Sequence, residues 1–86
     1  MPYVYVLRCS DNSYYTGWTT DINNRLTMHN TGKASKYTRS RTPVSLVYVE
    51  ELLDKSEALK REHVIKKMTR SEKNALIQST KKPASP

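Results

Sequence analysis

Tyr3-Val4-Tyr5-Val6-Leu7-Arg8-Cys9-Ser10-Asp11-Asn12-Ser13-Tyr14-Tyr15-Thr16-Gly17-Trp18 is the stretch that decides the fold, because it reads as two strands joined by a turn. Tyr3 to Cys9 alternates aromatic and β-branched residues, which suit a pleated surface. Ser10-Asp11-Asn12-Ser13 gathers short polar side chains that bond their own backbone and favour turns. Tyr14 to Trp18 resumes the strand. A three-residue loop, Ser10-Asp11-Asn12, sets Leu7 opposite Tyr15 and Tyr5 opposite Gly17, and so brings Tyr5 and Tyr15 to one face. Gly17 weakens a strand, so it implies close approach of a backbone or ligand, or a bulge.

Beyond the hairpin, Thr20 and Asp21 are natural caps for a helix running to about Thr31, with Gly32 as its stop. Ile22 and Leu26 give that helix its core face, and Arg25 and His29, four apart, are neighbours beside it. Residues 33–43 read as a polar loop carrying Lys33, Lys36, Arg39 and Arg41, with Tyr37 among them and no acidic residue. Pro43 ends the loop, and Val44 to Glu50 reads as a third strand. Asp54 or Ser56 then caps a helix over residues 56–68. Its apolar stripe is Ala58, Leu59 and Ile65, and Glu62 falls near the middle of that stripe. A carboxylate there costs several kcal/mol, roughly, unless a cation, a hydrogen-bond network or a wet cleft compensates it. A last helix fits Ser71 to Ile77, capped by Thr69 or Ser71. The order β-β-α-β-α-α predicts an α+β (α/β) fold, a small three-stranded, largely antiparallel sheet flanked by helices. One domain over residues 1–77 is expected, with 78–86 a disordered tail.

The chain has 86 residues, room for one small core, and a formal charge of +7. On so small a domain that charge implies an anionic partner, nucleic acid first and an acidic membrane or protein second. No apolar run approaches the roughly 20 residues of a membrane span, and the start lacks a secretory signal pattern. Cys9 is the single cysteine, so no internal disulfide forms; a reducing, cytoplasmic location and a buried strand position fit it. Six tyrosines against no phenylalanine hint that some phenols are used, since Phe would bury more cheaply. Phosphate-loop, dinucleotide, zinc-protease and nucleophilic-serine motifs are all missing.

Tyr3-Val4-Tyr5, then nine residues, then Tyr15-Thr16-Gly17 resembles the paired signature of the GIY-YIG nuclease superfamily. The resemblance continues through Arg25, His29 and the Ala58-x-x-x-Glu62-x-x-Ile65-Lys66 helix, and it is nearest to the small stand-alone bacterial members. Trp18 stands where some catalytic relatives carry a lysine. The resemblance implies that Tyr5 and Tyr15 line an active site, with one of them, or His29 through it, activating water. It implies Arg25 on the scissile phosphate and Glu62 on a single divalent metal, Mg2+ or Mn2+. A phenol acting as base near neutrality needs neighbouring cations to lower its pKa from about 10. The expected function is a metal-dependent DNA endonuclease that selects branched, nicked or single-stranded features and serves repair or recombination. RNA is the other nucleic acid in view, and a protein partner could supply targeting. Lys33, Lys36, Tyr37, Arg39 and Arg41, with Lys60, Arg61, Lys66 and Lys67, are expected to bind the nucleic acid. A non-catalytic nucleic-acid-binding module of the same fold is the alternative, and an adaptor for an acidic protein a third reading.

Overall fold

The hairpin forms in the expected register. In the computed structural model, which describes residues 1–79, strands β1 (Tyr3–Arg8) and β2 (Tyr14–Thr19) pair antiparallel, with Tyr5 opposite Gly17 and Leu7 opposite Tyr15. The loop closes because Asn12 takes the left-handed conformation, φ 72°, that few residues other than glycine and asparagine accept. Its N–H then donates to the Cys9 carbonyl at 2.9 Å, and the Cys9 N–H donates to that of Ser13 at 2.8 Å. Strand β3 (Ser45–Glu51) pairs with the other side of β1, so the order is β2-β1-β3 and β2 is an edge strand. Val6 faces Tyr48 and Leu7 faces Leu46, leaving Val47 as a bulge.

Alternation along β1 sends its side chains to two separate cores. Val4 and Val6 pack with Tyr48, Ala58 and Ile65 under helix α3 (Lys55–Lys66), with Leu76 and Ile77 of α4 (Arg70–Ser79) against them. Tyr5 and Leu7 pack on the opposite face with Cys9, Val44, Ile22 and Leu26, beneath helix α1 (Ile22–Asn30). The molecule is therefore helix, sheet, helix in three layers. Burying a side chain such as Leu7 or Ile65 contributes about 1.5–3 kcal/mol each, and both are fully buried.

The caps are those the sequence offers. The Asp21 carboxylate accepts the Asn24 N–H, and Asp54 accepts that of Glu57. Thr69 and Glu72 bond each other's backbone N–H as a capping box. At the end of α1, Gly32 at φ 80° lets Lys33 donate to Met28 and Gly32 to His29, closing off the helix carbonyls.

Several expectations are corrected. Residues 33–43 are not all loop: Ser35 caps a single helical turn, α2 (Lys36–Arg39), by accepting the Tyr37 and Thr38 N–H groups. Strand β3 is displaced by one residue. The stripe of α3 is Ala58 and Ile65 alone, because Leu59 is 42 % exposed. Glu62 consequently lies at the rim of that stripe, partly buried and not at its centre. Gln78 and Ser79 of the expected tail belong to α4, and residues 80–86 lie outside the described residues.

Candidate active site

Tyr5 is 3 % exposed, yet its hydroxyl is partnered. It meets His29 Nε2 at 2.8 Å, and His29 Nδ1 meets Thr38 Oγ1 at 2.8 Å. The Thr38 hydroxyl reaches the Ser35 carbonyl at 3.4 Å. A carbonyl only accepts, so Thr38 donates to it and accepts from Nδ1–H. That assigns Nε2 as the acceptor of the Tyr5 proton. Burial, then the charge of Arg25, pushes the His29 pKa down, so the imidazole is neutral near pH 7. Gly17 is what admits the phenol: a Cβ there would stand 2.6 Å from Tyr5 Oη and 2.8 Å from Cζ. The close approach inferred for Gly17 comes from a side chain across the hairpin.

This line of groups ends in a cleft of about 310 Å³ lined by Tyr5, Tyr15, Gly17, Trp18, Thr19, Thr20, Arg25 and Glu62. Residues from both sheet faces line it, so it straddles the edge strand β2. The Arg25 backbone N–H donates to the Asp21 carbonyl at 3.0 Å, but its guanidinium has no hydrogen bond or ion pair among the described residues and lines the cleft as a cation. Glu62, its side chain 16 % exposed, is held by Lys66 at 3.1 Å. The expectation of a cation-lowered phenol fails for Tyr5. Burial raises its pKa first, Tyr15 and Glu62 add to the rise, and Arg25 alone opposes them. Three or more His, Cys, Asp or Glu side chains cluster nowhere among the described residues. Glu62 nevertheless suits a magnesium-like ion, which commonly takes one carboxylate plus waters and substrate phosphates.

A GIY-YIG catalytic domain matches residues 1–75. The chain belongs to the GIY-YIG family. A UPF0213 protein of Halobacterium salinarum is 53 % identical over 90 % of this chain and 100 % of its own length. Another, from Clostridium perfringens, is 53 % identical over 92 % of the chain and 85 % of its own. The solution NMR structure of a Bacillus halodurans UPF0213 protein superposes with a TM-score of 0.61 at 42 % identity, covering 93 % of this chain and 86 % of that one. The GIY-YIG assignment makes this a nuclease-type domain, and the three-stranded sheet flanked by helices is the fold of these relatives. No described helix is long and apolar enough to cross a membrane.

Within this GIY-YIG domain Tyr5, Tyr15, Arg25 and Glu62 line one cleft, and His29 stands behind it, bonded to the Tyr5 hydroxyl. Tyr15 lies edge-on to His29, centroids 5.1 Å apart, and stacks on Tyr37 at 6.0 Å. The cations divide. Lys33, Lys36 and Arg39 are exposed. Arg41 is tied to Asp11 at 3.0 Å and to the Tyr37 carbonyl at 2.7 Å, with its guanidinium 3.9 Å over the Tyr37 ring. Arg61 is likewise occupied, 2.8 Å from Glu50, which also accepts the Tyr48 hydroxyl; it locks α3 to β3. Beside Trp18 the ammonium of Lys55 sits 5.7 Å from the indole. Thr38 is the residue that sequence reading missed. It is a threonine in a polar stretch, and only the Ser35 cap signalled the turn that buries it.

Proposed function

We propose that this protein is a metal-dependent endonuclease that hydrolyses phosphodiester bonds in DNA at structural features, in the service of repair or recombination. The observation that carries the reading is the joining, in one cleft, of an unpaired Arg25, the Glu62 carboxylate and a phenol backed by a neutral histidine. Water entering the cleft gives a proton to Tyr5 Oη while Tyr5 passes its own to His29 Nε2. The phenol then never becomes a free phenolate, which a raised pKa forbids. The water oxygen bonds to phosphorus as the bond from phosphorus to the leaving ester oxygen breaks. Arg25 offsets the charge that grows on the phosphoryl oxygens. Glu62 would hold the divalent ion, which when bound supplies a Lewis acid to that charge. Thr38 is a positioning residue, fixing the tautomer through His29.

Tyr5→Phe tests this on branched, nicked and single-stranded DNAs with Mg2+ or Mn2+ against EDTA. Loss of about 10² to 10⁴ in rate is expected, with DNA affinity kept. Wild-type cleavage by the Phe variant would sink the relay. Absence of cleavage by wild type on every substrate and metal would leave the non-catalytic binding module, for which the +7 charge also speaks.

A further inference from the structure

The carboxylate of Glu62 has one partner. It lines the cleft with its side chain only 16 % exposed and meets Lys66 Nζ at 3.1 Å, and no other side-chain hydrogen bond or ion pair reaches it among the described residues. A glutamate four residues before a lysine is the favourable order for a pair on a helix. The other ion pair within α3, Glu57 with Lys60, spans 3.9 Å with both side chains more than half exposed, so water does most of the work there. Glu62 has little water of its own, and Lys66 supplies the compensation that a carboxylate at this depth requires. Arg25 lines the same cleft but forms no ion pair, so Lys66 is the cation on this carboxylate.

Lys66 can also let go. It is the last residue of α3, and its side chain is 52 % exposed, so its ammonium returns to water at small cost. The hollow of about 240 Å³ that it also lines, with three tyrosines, Thr16 and Lys73, offers no carboxylate to capture it. A divalent ion and this ammonium seek the same two oxygens, and like charges held side by side on one carboxylate repel. We propose that Lys66 is the resident counter-cation of Glu62, which a divalent ion has to displace, so that Lys66 sets how much metal the site needs. The pair keeps Glu62 compensated at the cleft and weakens metal binding in exchange. This rests on the reading of Glu62 as the metal ligand.

Mg2+ titration of isotope-labelled protein, followed by NMR, reads weak affinities with no DNA and no turnover. Wild type, Lys66→Gln, Lys66→Arg, Lys67→Gln and Glu62→Gln are compared at constant ionic strength through the backbone amide of residue 62. Lys66→Gln should tighten Mg2+ binding about threefold to tenfold. Lys66→Arg keeps the charge and should bind as wild type does. Lys67→Gln removes the same charge one residue on, from a side chain with no ion pair among the described residues. Screened by salt, it should change the affinity about twofold or less. In wild type the Lys66 Cε–Hε signal should move along the same isotherm as the amide, as the ammonium leaves. Binding that needs Glu62 but is equal in wild type and Lys66→Gln overturns the proposal and leaves the metal reading standing. Equal tightening by Lys66→Gln and Lys67→Gln overturns it too, as a general effect of net charge. Mg2+ binding that survives Glu62→Gln, or none in wild type, overturns the metal reading and the proposal with it.

Discussion

Gly17→Ala is expected to damage stability and site together. The new methyl would lie 2.6 Å from Tyr5 Oη, 2.8 Å from Cζ and 3.3 Å from Tyr15 Cε2. The phenol is no free end that can swing away, since it is 3 % exposed and bonded to His29. Overpacking of this kind costs about 1–3 kcal/mol, and losing the Tyr5–His29 hydrogen bond adds about 1 kcal/mol. Replacing glycine in a strand returns roughly 0.5–1 kcal/mol. The net is about 1–3 kcal/mol, which for a domain of this size lowers Tm by roughly 5–20 °C. Calorimetry of wild type, Gly17→Ala, Tyr5→Phe and the double variant reads it. Tyr5→Phe removes the nearest clashing atom and the bond that pins the ring, so Gly17→Ala should cost about 1 kcal/mol less in that background, a coupling that contacting residues commonly show. A Gly17→Ala protein melting with wild type, or an equal cost in both backgrounds, would refute the close-approach account.

Thr38→Val leaves a buried Nδ1–H without an acceptor, costing about 1–3 kcal/mol; it should slow cleavage and shift its pH profile, whereas Thr38→Ser restores both. The His29 pKa is depressed by folding, so below about 6.5 the unfolded chain binds the proton more readily. Stability should therefore be complete above that pH and fall on acidification from 7 to 5, and His29→Gln should flatten the fall in Tm; an unchanged slope would deny that His29 is buried neutral. Glu62→Gln should abolish cleavage, as should EDTA, while DNA affinity survives and Tm changes little, because its partner Lys66 is half exposed and such pairs contribute about 0–1 kcal/mol. Activity indifferent to EDTA would reduce Glu62 to a structural group. Lys36→Gln should cut the duplex salt slope by about 0.9 with no change in Tm, whereas Arg61→Gln should lower Tm through Glu50 and leave the slope alone; the reverse pattern would show the two misassigned.

The hairpin was legible because period-two patterning and a three-residue turn leave one register in which Tyr5 and Tyr15 share a face. Helix α1 was legible because Asp21 and Gly32 mark both of its ends. What escaped was tertiary. Leu59 and Glu62 both sit on α3, and helical spacing alone could not tell that Leu59 is left exposed while Glu62 is partly buried beside the cleft. Arg41 and Arg61 look like any other basic residues until Asp11 and Glu50 arrive from other segments. The phenol's pKa was misjudged for the same reason: counting cations along the chain ignores burial, which for Tyr5 outweighs Arg25.

The two cores on opposite sides of β1 have a consequence for how the site tolerates change. Tyr5, Arg25 and His29 belong to one layer and Glu62 to the other, with a single sheet between them. The span between the proton-handling half and the carboxylate half is thus set by the thickness of a sheet, a dimension no loop controls. Lengthening the turn at Asn12, or inserting residues between α2 and β3, can reshape what the protein grips without retuning that span. The sheet works as a calliper, and new specificity can be added around it while the jaws stay at one setting.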